Sequence, residues 1–370
     1  MRSLLLAASF PPATGGVETL LYETTRRLQE PPLVLAPTPA AAPDLTVRPV
    51  SLSILARAAY RPLWRLHPAL HFLQAYLGPA LRAARAYRPE VLQAGHIYLA
   101  PVAQLLARRL RTPYVVYAYG QEVWRGGRPM GLSPLDQRLR GGALHSAARV
   151  LVPGSFTAGL IEAWRVPRDR MIHVPYGAEP RPAAPPPTGS TLLTVGRLVP
   201  RKGVDVVIQA LRQLPTHVAY RVVGSGPDQN RLRQLASDMG VAERVTFLGR
   251  IDAAALDEEY RRCAVYVQPS RRTADGQLEG YGLVYFEAAA WGRPVVAGRS
   301  GGEVDVVIDG TTGVLVDGIS VDAVASAVGA LLADPEQMRR LGAAGRRRVE
   351  TTHNWTRAAA TVDAALASLR

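Results

Sequence analysis

Apolar residues in this chain fall into short runs, and the runs alternate with longer amphipathic stretches. In the first half Leu4–Ser9, Leu33–Pro37, Val91–Ala94, Tyr114–Tyr119, Val150–Pro153 and Ile172–Pro175 read as strands. In the second half Leu192–Val195, Tyr220–Val223, Val245–Leu248, Val265–Gln268 and Val295–Ala297 repeat the scheme. Between them Glu18–Leu28, Pro101–Leu110, Asp205–Leu211 and Asp228–Met239 read as helices, and Val321–Leu332 and Pro335–Arg370 close the chain in the same conformation. Strand–helix alternation in both halves predicts an α/β protein of two parallel-sheet, Rossmann-like domains. The break falls at Pro180–Gly189, a proline-rich stretch that fits inside neither sheet. The predicted domains are therefore 1–180 and 190–352, with a linker at 181–189. Two facing domains of this kind enclose a cleft lined by the carboxyl ends of parallel strands.

Length agrees, since 370 residues exceed what one core usually serves. No apolar run approaches the ~18 residues that span a bilayer. The opening Met1–Ala8 reads as a first buried strand turning at Pro11-Pro12 rather than a signal sequence, because no cleavage pattern follows it. Cys263 is the single cysteine, which excludes a disulfide and a Cys-based metal site and fits a cytoplasmic location. Charge adds an asymmetry. Residues 1–185 hold 22 Arg and 10 acids, a balance of +12, against +2 for the remainder. Between Asp44 and Glu90 there are seven arginines and no acid. Within that stretch, Ala58–Arg88 adds Trp64, His67, His71, Phe72, Tyr76 and Tyr87, a mixture suited to an anionic membrane surface, while Pro62, Pro68 and Pro79 argue against one continuous helix.

Several strand-to-helix turns carry candidate chemistry. Gly15-Gly16 follows the first strand and opens a helix, where free amides suit a phosphate or sugar. Gly196-Arg197-Leu198 and Arg201-Lys202-Gly203 follow the first strand of the second half. Arg197 supplies a guanidinium fork and Lys202, the only lysine in the chain, a mobile point charge, a pair suited to a diphosphate. Gly224, in Val223-Gly-Ser-Gly-Pro227, leaves room for a nucleotide base or ribose. The densest segment is Asp275–Ala290. Glu279 lies on its glycine-rich turn, where it reaches a transferred sugar. Gly282, Leu283 and Val284 open a helix whose amides meet an anion, and Glu287, one turn in, suits the vicinal diol of a ribose. No carboxylate, His or Cys cluster has metal-ligand spacing, so neither metal nor other cofactor is expected.

Taken together these motifs resemble glycosyltransferase family 4 of the GT-B fold. The tract Glu279–Ala290 followed by Pro294–Gly302 is most similar to that of bacterial lipid-directed mannosyltransferases, including phosphatidyl-inositol mannoside enzymes. Val174–Glu179 resembles the family's hinge motif, with Tyr176 and Glu179 where Asn and Asp are usual. The resemblance implies a donor site in the second domain, an acceptor site in the first, and a C-terminal helix, about 353–370, that crosses back onto the first. It implies retention of anomeric configuration without a metal. Arg197 and Lys202 would neutralise the leaving diphosphate and Glu279 would bind sugar hydroxyls. The amides at Gly282–Val284 would hold the phosphates, with Glu287 on the ribose and Gly16 opposite the donor phosphate. The family's His is replaced by Tyr119, a poor base near neutrality. If the donor phosphate itself takes the acceptor proton, Tyr119 need only position the sugar, and His96 is a second polar group nearby. The implied reaction moves a hexose from GDP-mannose, or second UDP-glucose, to a lipid-linked or glycan acceptor. A peripheral position on the inner face of the cell membrane follows from the charge. A nucleic-acid-binding protein is the alternative raised by a pI near 10.4, but aromatics are few, no nucleic-acid module is present and no nucleic-acid partner is expected. Other GT-B chemistry fits less well: a phosphorylase needs a Schiff-base lysine, for which Lys202 is badly sited, and the motifs do not favour an epimerase.

Overall fold

The structure, a computed structural model, describes residues 1–13, 15–37, 42–50, 68–120, 122, 124–125, 128–129, 134–185 and 189–370. They form two compact units, Met1–Tyr176 with Trp355–Arg370, and Gly177–Asn354.

The first unit holds a sheet of β1 (Ser3–Leu6), β2 (Leu33–Pro37), β3 (Val47–Val50), β4 (Val91–Ala94), β5 (Tyr114–Tyr117), β8 (Arg149–Val152) and β9 (Met171–His173), in the order β3-β2-β1-β4-β5-β8-β9. A two-stranded ribbon, β6 (Trp124–Arg125) and β7 (Arg128–Pro129), stands apart from it. Every pairing within the large sheet is parallel. Central strands such as Leu4-Leu5-Leu6 and Tyr114–Tyr117 are buried on both faces, which is why they read as unbroken apolar runs. The second unit holds β10 (Thr191–Val195), β11 (Ala219–Val223), β12 (Val245–Gly249), β13 (Val265–Gln268), β14 (Val295–Gly298) and β15 (Gly313–Val316), ordered β12-β11-β10-β13-β14-β15 and again wholly parallel. In each sheet the strand order reverses beside the first strand, between β1 and β4 and between β10 and β13. Connecting loops diverge there and leave a crevice at the carboxyl ends.

Three features differ from the sequence expectation. The ribbon β6–β7 and the strands β3 and β15 lie outside the strands read from the sequence. The latter two are each only four residues long at a sheet edge, and β3 carries Arg48 and Pro49, both exposed. The helix Pro68–Tyr87 runs unbroken through Pro79. Pro68 stands at its start, where no amide donor is needed, and Pro79 and Ala75, whose carbonyl Pro79 cannot serve, are only half-buried. Phe72 and Tyr76 belong to the core rather than to a lipid-facing surface: both are buried, and the Tyr76 hydroxyl donates to the Ala7 carbonyl at 2.5 Å. Trp64, His67, Arg57, Arg61 and Arg65 lie outside the described residues. In the proline-rich stretch, Arg346 donates to the carbonyls of Arg181 and Pro182 and Arg293 to that of Pro185, which ties its described part to the second unit.

The helix Trp355–Ala367 is part of the first unit, where Asp363 accepts from the Gln29 amide at 3.1 Å. Beneath the first sheet's crevice lies a buried ion pair. Arg140 and Asp136 are both fully buried and 2.5 Å apart. Asp136 also accepts from the Ala69 amide, and the Arg140 guanidinium lies over the rings of Tyr98 and Trp164. This pair joins the helix Pro134–Ser146 to the start of the helix Pro68–Tyr87.

Candidate active site

In the second unit the crevice between β10 and β13 is built by loops that meet backbone to backbone at their glycines. The chain leaves β10 at Gly196, turns through Pro200–Lys202 and enters the helix Val204–Ala210 at Gly203, which is left-handed with φ +72°. A β-carbon on Gly203 would lie 2.3 Å from the Pro269 carbonyl oxygen. The room left by the missing side chain at Gly224 is filled by the Gly196 carbonyl, 2.0 Å from where a β-carbon would sit. These contacts hold the loops after β10, β11 and β13 backbone to backbone.

From this frame Lys202 projects as a buried cation. Its ammonium donates to Glu279 Oε2 at 2.5 Å, and Arg201 donates to the same oxygen at 2.9 Å. Gln268, at the end of β13, accepts from Lys202 at 3.3 Å once its amide is turned to satisfy Val195 and Tyr266. Burial pulls the Lys202 pKa below its ordinary value, with Glu279 opposing. Burial alone would raise the Glu279 pKa, but the charges of Lys202 and Arg201 outweigh it and hold the carboxyl below the ordinary range. Arg197, on the same loop, is exposed.

The helix Leu283–Ala290 starts at Gly282, where φ is +96° and a β-carbon would lie 2.5 Å from the Tyr285 ring. No side chain caps this helix, so the amides of Leu283 and Val284 point outward without helical partners. Farther along, Glu287 accepts from the Tyr260 hydroxyl at 2.6 Å. Burial raises the Glu287 pKa, and the Tyr260 bond partly offsets this.

In the first unit Gly95 closes the end of β4. Its amide donates to the Leu6 carbonyl at 2.8 Å, and a β-carbon there would meet Leu21 and Leu6. His96 follows, stacked on Tyr98 at 4.5 Å between centroids and 6.2 Å from Tyr119. Burial lowers the His96 pKa, which favours the neutral imidazole. Tyr119 donates its amide to Glu122 at 2.6 Å, while its buried hydroxyl has no partner among the described residues. Gly15 and Gly16 open the helix Gly16–Thr25 with no side-chain cap. Glu18 folds back against Gly15, and nothing lies within 4 Å of a β-carbon placed on Gly16. The Glu18 charge reaches both His96 and Tyr119, so the loop at 15–18 and these two rings share one neighbourhood.

Comparison with known proteins agrees with this geometry. The family described as Glycosyl transferases group 1 matches residues 178–348, and Glycosyltransferase Family 4 matches residues 14–181. The GDP-mannose-dependent alpha-(1-6)-phosphatidylinositol monomannoside mannosyltransferase of Mycolicibacterium smegmatis is 33% identical, covering 93% of this chain and 92% of its own. The chain belongs to glycosyltransferase family 4. The protein of the same name from Mycobacterium tuberculosis H37Rv is 32% identical, over 97% of this chain and 96% of its own. Sucrose-phosphate synthase of Thermosynechococcus elongatus matches in fold, with a TM-score of 0.82, 22% identity and coverage of 100% and 98%. The two parallel-sheet units are those of a GT-B glycosyltransferase.

Within this glycosyltransferase the residues singled out from sequence fall into two groups. Lys202 and Glu279 meet directly, on the turn that leads to Gly282–Val284. His96, Tyr119 and the Gly15-Gly16 loop cluster in the first unit. Arg201 was overlooked in favour of Arg197, although it is the cation beside Lys202 that engages Glu279. Tyr260, which holds Glu287, and Gln268, which faces Lys202, come from other strands and helices. No sequence spacing links either to its partner.

Proposed function

We propose that this glycosyltransferase is a retaining, GDP-mannose-dependent mannosyltransferase whose acceptor is an anionic, mannosylated phosphatidylinositol lipid. The observation that carries this reading is the buried Lys202–Glu279–Arg201 cluster at the β10–β13 crevice, in a chain one-third identical over nearly its whole length to an enzyme named for that donor and acceptor. UDP-glucose is the second choice of donor.

The chemistry follows from the cluster. An incoming diphosphate takes the charges of Lys202 and Arg201, with Arg197 and the amides of Leu283 and Val284 completing its shell. Glu279 is thereby released from the cations and turns to the hydroxyls of the transferred sugar, while Glu287, steadied by Tyr260, binds the ribose. As the bond from the anomeric carbon to the leaving phosphate breaks, fixed cations stabilise the developing charge. The acceptor oxygen bonds to that carbon on the same face, and its proton passes to the leaving phosphate. Tyr119 and neutral His96 orient hydroxyls and need not act as bases.

Because these cations carry the charge, transfer persists in excess EDTA. Among the described residues no group of three His, Cys, Asp or Glu is arranged to hold a metal. No helix among the described residues is long and apolar enough to cross a membrane. Contact with lipid is peripheral, on the cytoplasmic face, and rests on charge, through exposed arginines such as Arg82, Arg85 and Arg88. A thermal-shift and hydrolysis screen over nucleotide sugars tests the donor. Stabilisation and slow hydrolysis with GDP-mannose above all others supports the reading, and preference for another nucleotide sugar overturns it.

A further inference from the structure

Glu303 has no part in the chemistry above, yet it is completely buried beside it. Its Oε1 accepts three bonds from the turn that follows β14: the Ser300 amide at 2.7 Å, the Ser300 hydroxyl at 3.0 Å and the Gly301 amide at 2.9 Å. The turn so held presses on the loop that carries Glu279. The Gly302 amide donates to the Glu279 carbonyl at 2.8 Å. A β-carbon on Gly301 would lie 2.3 Å from that same carbonyl oxygen, and one on Gly302 would lie 2.0 Å from the Gly280 carbonyl oxygen. The Ser300 hydroxyl, whose single hydrogen is shared between Glu303 and this second acceptor, also lies 3.1 Å from the Ser270 carbonyl at the start of the same loop. One carboxyl group thus holds the turn after β14 against both ends of the loop that follows β13, and the backbone of Glu279 hangs from the lock.

We infer that Glu303 is a positioning residue for transfer: it fixes the Ser300–Gly302 turn so that the Gly302 amide sets the place of Glu279, the side chain that engages the donor sugar. This rests on the donor-site reading above.

Glu303 Oε2 is buried without a partner among the described residues. A carboxylate so placed is costly, and a neutral carboxylic acid is tolerated. Burial accordingly pushes the Glu303 pKa up to about 7, and the charge of Glu279 adds to the rise. The titratable groups that sense Glu303 are Glu279, Lys202 and Tyr285. Because folding raises this acid's pKa, its contribution to stability is full below the ordinary value near 4.5 and is lost as pH climbs through about 7.

Glu303→Gln keeps the accepting oxygen and the neutral form, whereas Glu303→Ala removes the lock. Amide exchange measured by mass spectrometry over residues 275–284 reads positioning without any need for activity. The expected result is faster exchange in Glu303→Ala and wild-type protection in Glu303→Gln at pH 6. Transfer assays should then give a kcat for Glu303→Ala lower by on the order of 10²-fold with little change in donor KM, as misplacement of a reacting group does. Glu303→Gln is expected to restore kcat and to lack the fall in rate expected of wild type as pH rises through about 7. Unchanged exchange in Glu303→Ala, or a Gln variant as impaired as Ala, overturns the inference. A wild-type protein that transfers from no nucleotide sugar overturns the donor-site reading alone, and exchange still decides the role of Glu303.

Discussion

Lys202 and Glu279 were assigned separate tasks from sequence, one on the diphosphate and the other on the sugar, and the structure joins them in one ion pair. On the proposed function the carboxylate competes with the diphosphate for the same cations. Glu279→Gln should bind GDP about tenfold more tightly than wild type, a change of ~1.4 kcal/mol, while transferring sugar more slowly. Isothermal calorimetry decides this, and weaker GDP binding in the variant contradicts the competition. Lys202→Ala should lose turnover on the order of 10²-fold from lost leaving-group stabilisation, read by steady-state kinetics. The pair also sets an acid limit. The Glu279 pKa is held below its ordinary value, so its stabilising effect is present above about 4.5 and disappears as pH falls beneath it. At this scale the chemistry-bearing residue types were legible because unusual residues stood on glycine-rich turns: a sole lysine, and two glutamates eight positions apart. Their partners were not. Arg201 stands beside Lys202 on the same loop, but its pairing with Glu279 is not written in the spacing; Tyr260 and Gln268 reach the site only through tertiary packing, and nothing in the spacing of Tyr260 and Glu287 announces that they meet.

Among the elements, the loops at the β10–β13 crevice depend on glycines that meet carbonyl oxygens, which leaves no tolerance for a methyl group. Gly203→Ala must place a β-carbon 2.3 Å from the Pro269 carbonyl oxygen in a left-handed backbone, so a loss of roughly 3 kcal/mol is expected. Thermal unfolding checks it, and a wild-type Tm would mean that the loop yields. In the first unit the Arg140–Asp136 pair is buried, with Asp136 accepting from the Ala69 amide and Arg140 donating to the Glu122 carbonyl. Asp136→Ala leaves an uncompensated guanidinium in the core and should cost roughly 3–5 kcal/mol, again read by unfolding. Unbroken apolar runs gave the starts of the central strands to within a residue, and overran the ends of β1 and β5. The edge strands β3 and β15 escaped because four residues flanked by turn formers carry too little pattern. The helix around Pro79 escaped because local proline chemistry was overridden by an apolar face packed on the helix Ala100–Leu110.

At the scale of the whole molecule, the division into two parallel-sheet units was readable from the repeated alternation. The excess positive charge was readable as well, but Phe72 and Tyr76, two of the aromatic residues set among the arginines, fill the core. Membrane attraction should be electrostatic: binding to anionic but not neutral vesicles, weakening as added salt shortens the screening length to ~10 Å at 0.1 M. Co-sedimentation reads this, and equal indifference to both vesicle types points to a soluble acceptor. The most direct test of the central claim is the product itself. The protein is incubated with GDP-α-mannose and a monomannosylated phosphatidylinositol in the presence of EDTA, and the new linkage is read by proton NMR. The account predicts release of GDP and an added mannose in the α configuration; a β linkage, or no transfer of mannose without a divalent ion, would contradict it.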